Sequence, residues 1–293
     1  MKFATYRLPD GGVRHGEVVD GGRVTDLGPG DLSPVVAALA DGGRGPLPSG
    51  GAPSGGAAYA LDEVTLLAPL LRPGKVLAVA ANYQEHVTET GGDPIDKARI
   101  SPRLFIKPAT AVSGPGEEIA LPSVSPSVDW EAELVAVVGR GGRDIPVEDA
   151  LAHVAGYTIG NDVSAREMDY GHERDTADPA VAFFDWLNGK WLDGFAALGP
   201  YLVTADEVPD PQALQVTLEV NGRVRQHGDT GQMIFNVAEL VAFASRLMTL
   251  EPGDVLYTGT PSGVGLASGE FLSAGDEMTV RVSGLGSLVN RVR

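Results

Sequence analysis

Asp129-Trp130-Glu131-Ala132-Glu133-Leu134-Val135-Ala136-Val137-Val138-Gly139 sets two carboxylates, two residues apart, at the head of an unbroken apolar run. Side chains on a strand alternate between faces, so as a strand this stretch points Glu131 and Glu133 the same way. The run 134–138 carries the strand into a core, where like charges repel and unpaired carboxylates are costly. A third acid, Asp162, closes Gly156-Tyr157-Thr158-Ile159-Gly160-Asn161-Asp162, a second strand-to-turn junction that can converge on the pair. Three acidic side chains and no cysteine specify a hard cation, Mg²⁺, Mn²⁺ or Ca²⁺, rather than Zn²⁺.

Strand signals dominate on either side of this stretch. The first thirty residues read as a β-meander punctuated by Asp10-Gly11 and Asp20-Gly21-Gly22, followed by a short helix over 34–40. Residues 41–58 are mostly Gly, Pro, Ser and Ala and read as a loop. Residues 76–80 read as a buried strand, 82–89 as a helical turn and 104–107 as a strand closed by Pro108. A helix is expected over 147–154. Residues 214–220 alternate cleanly, and Asn221-Gly222 turns them back into 223–225. The clearest helix covers 237–250, with Asn236 and Glu239 forming a capping box. Residues 255–257 return to a strand. Many strands, few helices and no strict βαβ alternation give a β-rich α+β fold rather than a doubly wound sheet.

At 293 residues the chain can bury one large core, or a large core with a small lobe. Its net charge of −17 argues against nucleic acid or an anionic membrane surface as partner. The absence of cysteine rules out disulfides and thiolate chemistry. With no signal peptide and no bilayer-length apolar segment, the reading is a soluble cytoplasmic protein.

Three further segments carry chemistry. In Asn82-Tyr83-Gln84-Glu85-His86-Val87-Thr88-Glu89, a helical turn makes His86 and Glu89 neighbours, and the carboxylate can fix the imidazole tautomer. Such a dyad can activate water. Gly91-Gly92 behind it could serve as a hinge. Tyr257-Thr258-Gly259-Thr260-Pro261-Ser262-Gly263 is a Gly-rich loop after a strand, whose N–H groups and Thr260 hydroxyl can receive an oxyanion or carboxylate. It is not a phosphate-binding loop, because no Gly-Lys-Ser/Thr follows. Trp186-Leu187-Asn188-Gly189-Lys190 shows no local feature that makes Lys190 more than a solvated lysine.

Taken in order, these segments, together with Phe105-Ile106-Lys107-Pro108, Asn161-Asp162-Val163-Ser164-Ala165-Arg166, Met233-Ile234-Phe235 and Thr258 to Gly265, strongly resemble the fumarylacetoacetate hydrolase family. Acylpyruvate hydrolases and 2-hydroxyhepta-2,4-diene-1,7-dioate isomerases belong to that family. The resemblance runs from about Lys75 to the end of the chain. It implies a mixed β-sandwich roll over 71–293, preceded by a small N-terminal β-rich domain over 1–70. It also implies a homodimer, and Mg²⁺ or Mn²⁺ held by Glu131, Glu133 and Asp162. His86 and Glu89 would form a catalytic dyad on a mobile lid with Lys190 nearby, while Tyr83, Gly259 and Thr260 would meet a small carboxylic acid substrate. Arg166 would either face substrate or brace the metal loop.

The implied reaction is hydrolysis of a C–C bond in an acylpyruvate- or fumarylacetoacetate-like 2-oxo acid through an enolate. Decarboxylation or isomerisation of a 2-oxo or 2-hydroxydienoate diacid is the alternative on the same site, since all three share one intermediate. A catalytically silent binding protein would be expected to lack part of the dyad or triad, and none is missing. Two departures bear on substrate: Asp169 stands where many acylpyruvate-type members carry Gln, and 194–200 lacks the proline common before Leu-Gly-Pro.

Overall fold

The computed structural model describes residues 1–19, 22–40 and 57–293. The deciding stretch forms the strand Ala132–Val138, buried at every position. It lies antiparallel to Val154–Asp162 on one side and to Val255–Tyr257 on the other. Both of its faces are covered, which is why the apolar run does not alternate with polar residues. Leu134, Ala136 and Val138 join one core with Val216, Leu218, Met278 and Val280 of a second sheet. Val135 and Val137 join another with Tyr257, Leu198, Phe3 and the helix Ser33–Leu39.

The larger sheet runs Ala58–Ala60, Arg23–Pro29, Val13–Val19, Lys2–Arg7, Ala196–Thr204, Val154–Asp162, Ala132–Val138, Val255–Tyr257, Val76–Ala80, Arg103–Lys107. The expected N-terminal meander is therefore part of it, stitched in where Lys2 and Phe3 pair with Val203 and Leu202. The second sheet runs Arg223–Asp229, Gln215–Val220, Glu277–Val282, Gly286–Val292, Glu118–Ile119. Pairing is mostly antiparallel, with Val255–Tyr257 parallel to Val76–Ala80. The fold is a β-rich α+β protein with mixed sheets, as expected.

The register brings several strand ends together. Ala132 pairs with Asn161, Tyr257 with both Val135 and Ala78, and Ala80 with Arg103. Residues 131–133, 160–162, 258–260, 80–82 and 103 thus cluster at one end of the larger sheet.

The helices differ from expectation in instructive ways. Val237–Leu247 is capped as read, with Asn236 Oδ1 accepting from Glu239 N at 2.9 Å and Glu239 Oε2 accepting from Asn236 N at 2.8 Å. It stops before residue 250 because Met248 turns extended. The 147–154 segment is a 3₁₀ turn, Val147–His153, with no side-chain cap at Pro146. Pro179–Asn188 is a helix the sequence reading did not assign, opened by Asp178 and Pro179. Of the 41–58 loop, residues 41–56 lie outside the described residues, as do Asp20 and Gly21 of the second hairpin. Among the described residues, no helix is long and apolar enough to cross a membrane.

Candidate metal centre and active-site cavity

Glu133 pairs with Gly160 across the two central strands, so Glu131, Glu133, Gly160 and Asp162 fall on one face at their shared end. Glu131 itself lies in the short break between the strands Val128–Asp129 and Ala132–Val138. It is pinned there by Asn161 Oδ1, which accepts its N–H at 2.9 Å, and by Asp162 N, which donates to its carbonyl at 2.9 Å. One ligand atom from each of Glu131, Glu133 and Asp162 lies within 4.8 Å of the others, and all three residues are buried. Gly160 is required beside them: a Cβ there would sit 2.4 Å from Tyr257 Cε1 and 2.5 Å from Val135 Cγ2.

Three cations surround the triad. Lys190 Nζ donates to Glu131 Oε2 and Asp162 Oδ2, both at 2.8 Å. Lys107 Nζ donates to Asp162 Oδ1, and to the Phe195 carbonyl at 2.7 Å. Arg166 donates to Glu131 Oε1 at 2.6 Å and to Asp129 Oδ2 at 2.9 Å. Asp129 is in turn fixed by the N–H groups of Gly265 (2.6 Å) and Leu266 (2.9 Å). Arg166 therefore does brace the acidic cluster, and it also lines the cavity described below.

These contacts divide the carboxylates sharply. Burial alone would raise Glu131, but Lys190, Arg166 and His86 outweigh it and hold that carboxyl well below its usual range. Glu133 is pushed well above it, by burial first and then by the charges of Asp162 and Glu131. The Lys190 charge offsets part of this, and the one hydrogen bond to the Glu133 carboxylate among the described residues is from the Gly259 N–H, which donates to Oε2 at 2.6 Å. Burial lowers the Lys107 ammonium, whereas Asp162 and Glu131 overcome burial at Lys190 and raise it. Glu133 is thus a buried carboxylate with no cationic side chain bonded to it, beside two others. Four carboxylates against three cations leave one uncompensated negative charge. An all-oxygen, all-buried donor set with a surplus negative charge fits a hard divalent cation such as Mg²⁺ or Mn²⁺.

The dyad sits on the helix Gln84–Glu89. Asn82 anchors its start, donating to the Phe235 and Thr258 carbonyls at 3.0 and 2.7 Å and accepting from Phe235 N at 2.8 Å. His86 Nδ1 lies 3.0 Å from Glu89 Oε1, and Glu89 Oε2 accepts from Gly263 N at 2.7 Å. With Glu89 accepting, the neutral ring carries its proton on Nδ1 and leaves Nε2 available as the base. Gly91, with φ of +85°, ends the helix, and Gly92 N donates back to the Val87 carbonyl at 2.9 Å.

A cavity of about 350 Å³ opens over this end of the sheet, bounded by His86, Glu131, Arg166, Lys190, Thr260 and Arg103. Phe183, Trp186 and Leu266 supply its apolar walls. Lys190 Nζ also lies 5.6 Å from the Phe105 ring centre and 5.9 Å from that of Trp186, where the ring faces favour a cation. Some expected residues point elsewhere. Tyr83 is buried and does not line this cavity, and it lies close enough to Glu133 for that charge, after burial itself, to raise its phenol. The Gly259 N–H is directed at Glu133 and not at the cavity. The Thr260 hydroxyl donates to the Ala132 carbonyl at 2.9 Å and accepts from Gln226 at 2.8 Å. Asp169 is exposed and caps the Gly171 N–H at 2.8 Å, turned away from the site.

Lys107, Asp129 and Arg103 were not singled out from the sequence. Lys107 is visible in hindsight as a lysine closing an apolar strand. Asp129 begins the quoted acidic stretch, but nothing local distinguishes a bracing carboxylate from a ligand.

Residues 75–293 match the family model described as the fumarylacetoacetate (FAA) hydrolase C-terminal domain. The chain is 44% identical over 233 residues to the oxaloacetate tautomerase FAHD2A, mitochondrial, of Bos taurus, covering 79% of this chain and 70% of that protein. The solved 2-hydroxyhepta-2,4-diene-1,7-dioate isomerase of Mycobacterium marinum superposes with a TM-score of 0.74 at 34% identity, over 100% and 98% of the two chains. Maleylpyruvate hydrolase of Sphingobium sp. SYK-6, solved with manganese(II) and pyruvate, gives 0.77 at 29% identity, over 100% and 98%.

Proposed function

This chain belongs to the fumarylacetoacetate hydrolase family, and we propose that it is a Mg²⁺- or Mn²⁺-dependent isomerase of the tautomerase kind. Its reaction would move a proton at the carbon beside the keto group of a small 2-oxo acid. The observation that carries this reading is the free Nε2 of His86, oriented by Glu89, in one cavity with Glu131, Lys190 and Arg166. The 44% identity to an oxaloacetate tautomerase supports proton transfer over the C–C hydrolysis expected from the sequence.

His86 Nε2 would take the proton from the substrate carbon, with Glu89 stabilising the imidazolium that results. The same imidazolium would return the proton to the other end of the enolate. A divalent ion held by Glu131, Glu133 and Asp162 would offset negative charge developing on the keto oxygen. Lys190, fixed by two carboxylates, would add positive potential without having to reorganise. The apolar walls Phe183, Trp186 and Leu266 would limit water around the base.

C–C hydrolysis is the second reading, supported by the likeness to maleylpyruvate hydrolase. There the same dyad would take its proton from water. Product analysis by NMR separates the readings, using oxaloacetate, an acylpyruvate and a hydroxymuconate-type diacid, each with Mg²⁺ or EDTA, alongside His86→Ala. Metal-dependent interconversion of tautomers or a shifted double bond, lost in the variant, is expected. Cleavage into two acids would replace the first reading by the second, and release of CO₂ would make the enzyme a decarboxylase. A homodimer belongs to the same proposal, and light scattering that finds only monomer would remove it.

A further inference from the structure

Three cationic side chains line the cavity, and two are already committed. Arg166 is held by Asp129 and Glu131, and Lys190 by Glu131 and Asp162. The third, Arg103, is exposed and has no ion pair or side-chain hydrogen bond among the described residues. Its position is fixed by the fold: it opens the strand Arg103–Lys107 and pairs with Ala80, whose neighbours Val79 and Ala81 also line the cavity. Arg72, Arg99, Arg140, Arg223 and Arg246 are unpaired as well, but none of them lines this cavity, so Arg103 is its one uncommitted cation among the described residues.

The geometry points to Arg103 as a specificity-determining residue that binds the substrate carboxylate remote from the reacting keto acid. This rests on the isomerase reading above only for the identity of the reaction. The triad and dyad side hold the reacting end of the substrate, and every cation there is matched by protein carboxylates. A second substrate carboxylate at the outer end finds one uncommitted partner, and guanidinium suits it because it can donate two parallel hydrogen bonds. The same charge gives local attraction at the mouth of a protein whose net charge of −17 repels a dianion. Arg103 would therefore favour diacids over monoacids, chiefly through KM.

Binding can be read without turnover. Malate and lactate are a 2-hydroxy diacid and monoacid that cannot enolise, and calorimetry of each against the Mg²⁺-loaded protein gives the selectivity directly. The wild type is expected to prefer malate, and Arg103→Gln to lose on the order of ten-fold in malate affinity with lactate unchanged. Arg103→Lys should retain part of the preference, and its dependence on salt. Kinetics should agree: for oxaloacetate, Arg103→Gln raises KM with kcat nearly kept. Equal weakening of both ligands, or no change in either, would overturn the assignment, as would a wild type that does not prefer malate. Selective malate binding by a protein that transforms no 2-oxo acid would uphold Arg103 and sink the reaction instead.

Discussion

Replacing Glu133 by glutamine should stabilise the protein in EDTA and destabilise it, relative to wild type, in Mg²⁺. Glu133 is 1% exposed and lies beside two other carboxylates. Its partner is one backbone N–H at 2.6 Å, whereas Glu131 and Asp162 each contact two cationic side chains. Glutamine keeps an oxygen for the Gly259 N–H and turns an amide donor toward the neighbouring acids, so repulsion becomes attraction. Taking one such ion out of water costs on the order of several kcal/mol after relaxation. The wild-type carboxyl can relieve part of its own cost by holding a proton, since burial and its acidic neighbours already push it upward. The gain should therefore be about 1–2 kcal/mol, or roughly 2–4 °C in melting midpoint for a chain of this size.

The sign reverses with metal. At a free Mg²⁺ concentration about 100 times Kd, a cation bound only by the folded state adds about 2.7 kcal/mol to the wild type. Glu133→Gln loses one of three carboxylate ligands and most of that increment. Thermal and urea unfolding of both proteins, in EDTA and in Mg²⁺, tests the crossing of the two orders. A variant less stable than wild type in EDTA would refute the account of Glu133 as an uncompensated charge. An equal Mg²⁺ increment in both proteins would remove it from the metal site.

Glu89→Gln keeps an acceptor for the Gly263 N–H but lacks the charge that supports the His86 imidazolium, so kcat should fall about 10²-fold or more with stability little changed; steady-state kinetics beside a thermal melt checks it. Gly160→Ala forces a methyl to within 2.4 Å of buried Tyr257 and should cost about 1–3 kcal/mol of stability in urea unfolding, with Mg²⁺ affinity falling as the facing Glu133 shifts. Asp169→Gln should change kcat/KM less than about two-fold and stability by less than about 0.5 kcal/mol, because Asp169 is exposed and faces its own turn.

The convergence of Glu131, Glu133 and Asp162 was legible because two acids two residues apart lead into an apolar run, although Glu131 lies in the break just before the strand rather than in it. The His86 and Glu89 pair was legible because residues three apart on a helix are neighbours on its surface. The bracing cations were harder. Lys107 reaches Asp162 from another strand, and no local pattern reveals a contact between residues 55 apart in sequence. The helix Pro179–Asn188 escaped because none of its residues is fully buried and only Trp186 and Leu187 pack against the core, too few for a clear apolar stripe. Its opening Asp178-Pro179 was nonetheless a readable signal. A Gly-rich loop after a strand predicts a substrate-facing Gly259 amide, whereas its N–H donates to Glu133 at 2.6 Å. The orientation of one peptide plane decides this, and a Gly-rich composition does not specify it.

The most direct test of proton transfer by His86 is the decay of oxaloacetate enol absorbance after rapid mixing. It would be followed for the wild type with Mg²⁺, the wild type with EDTA, and His86→Ala with Mg²⁺. Enol loss well above the buffer rate in the first sample, and at the buffer rate in the other two, is the predicted result. A His86→Ala variant as fast as the wild type would contradict the assignment of His86 as the base.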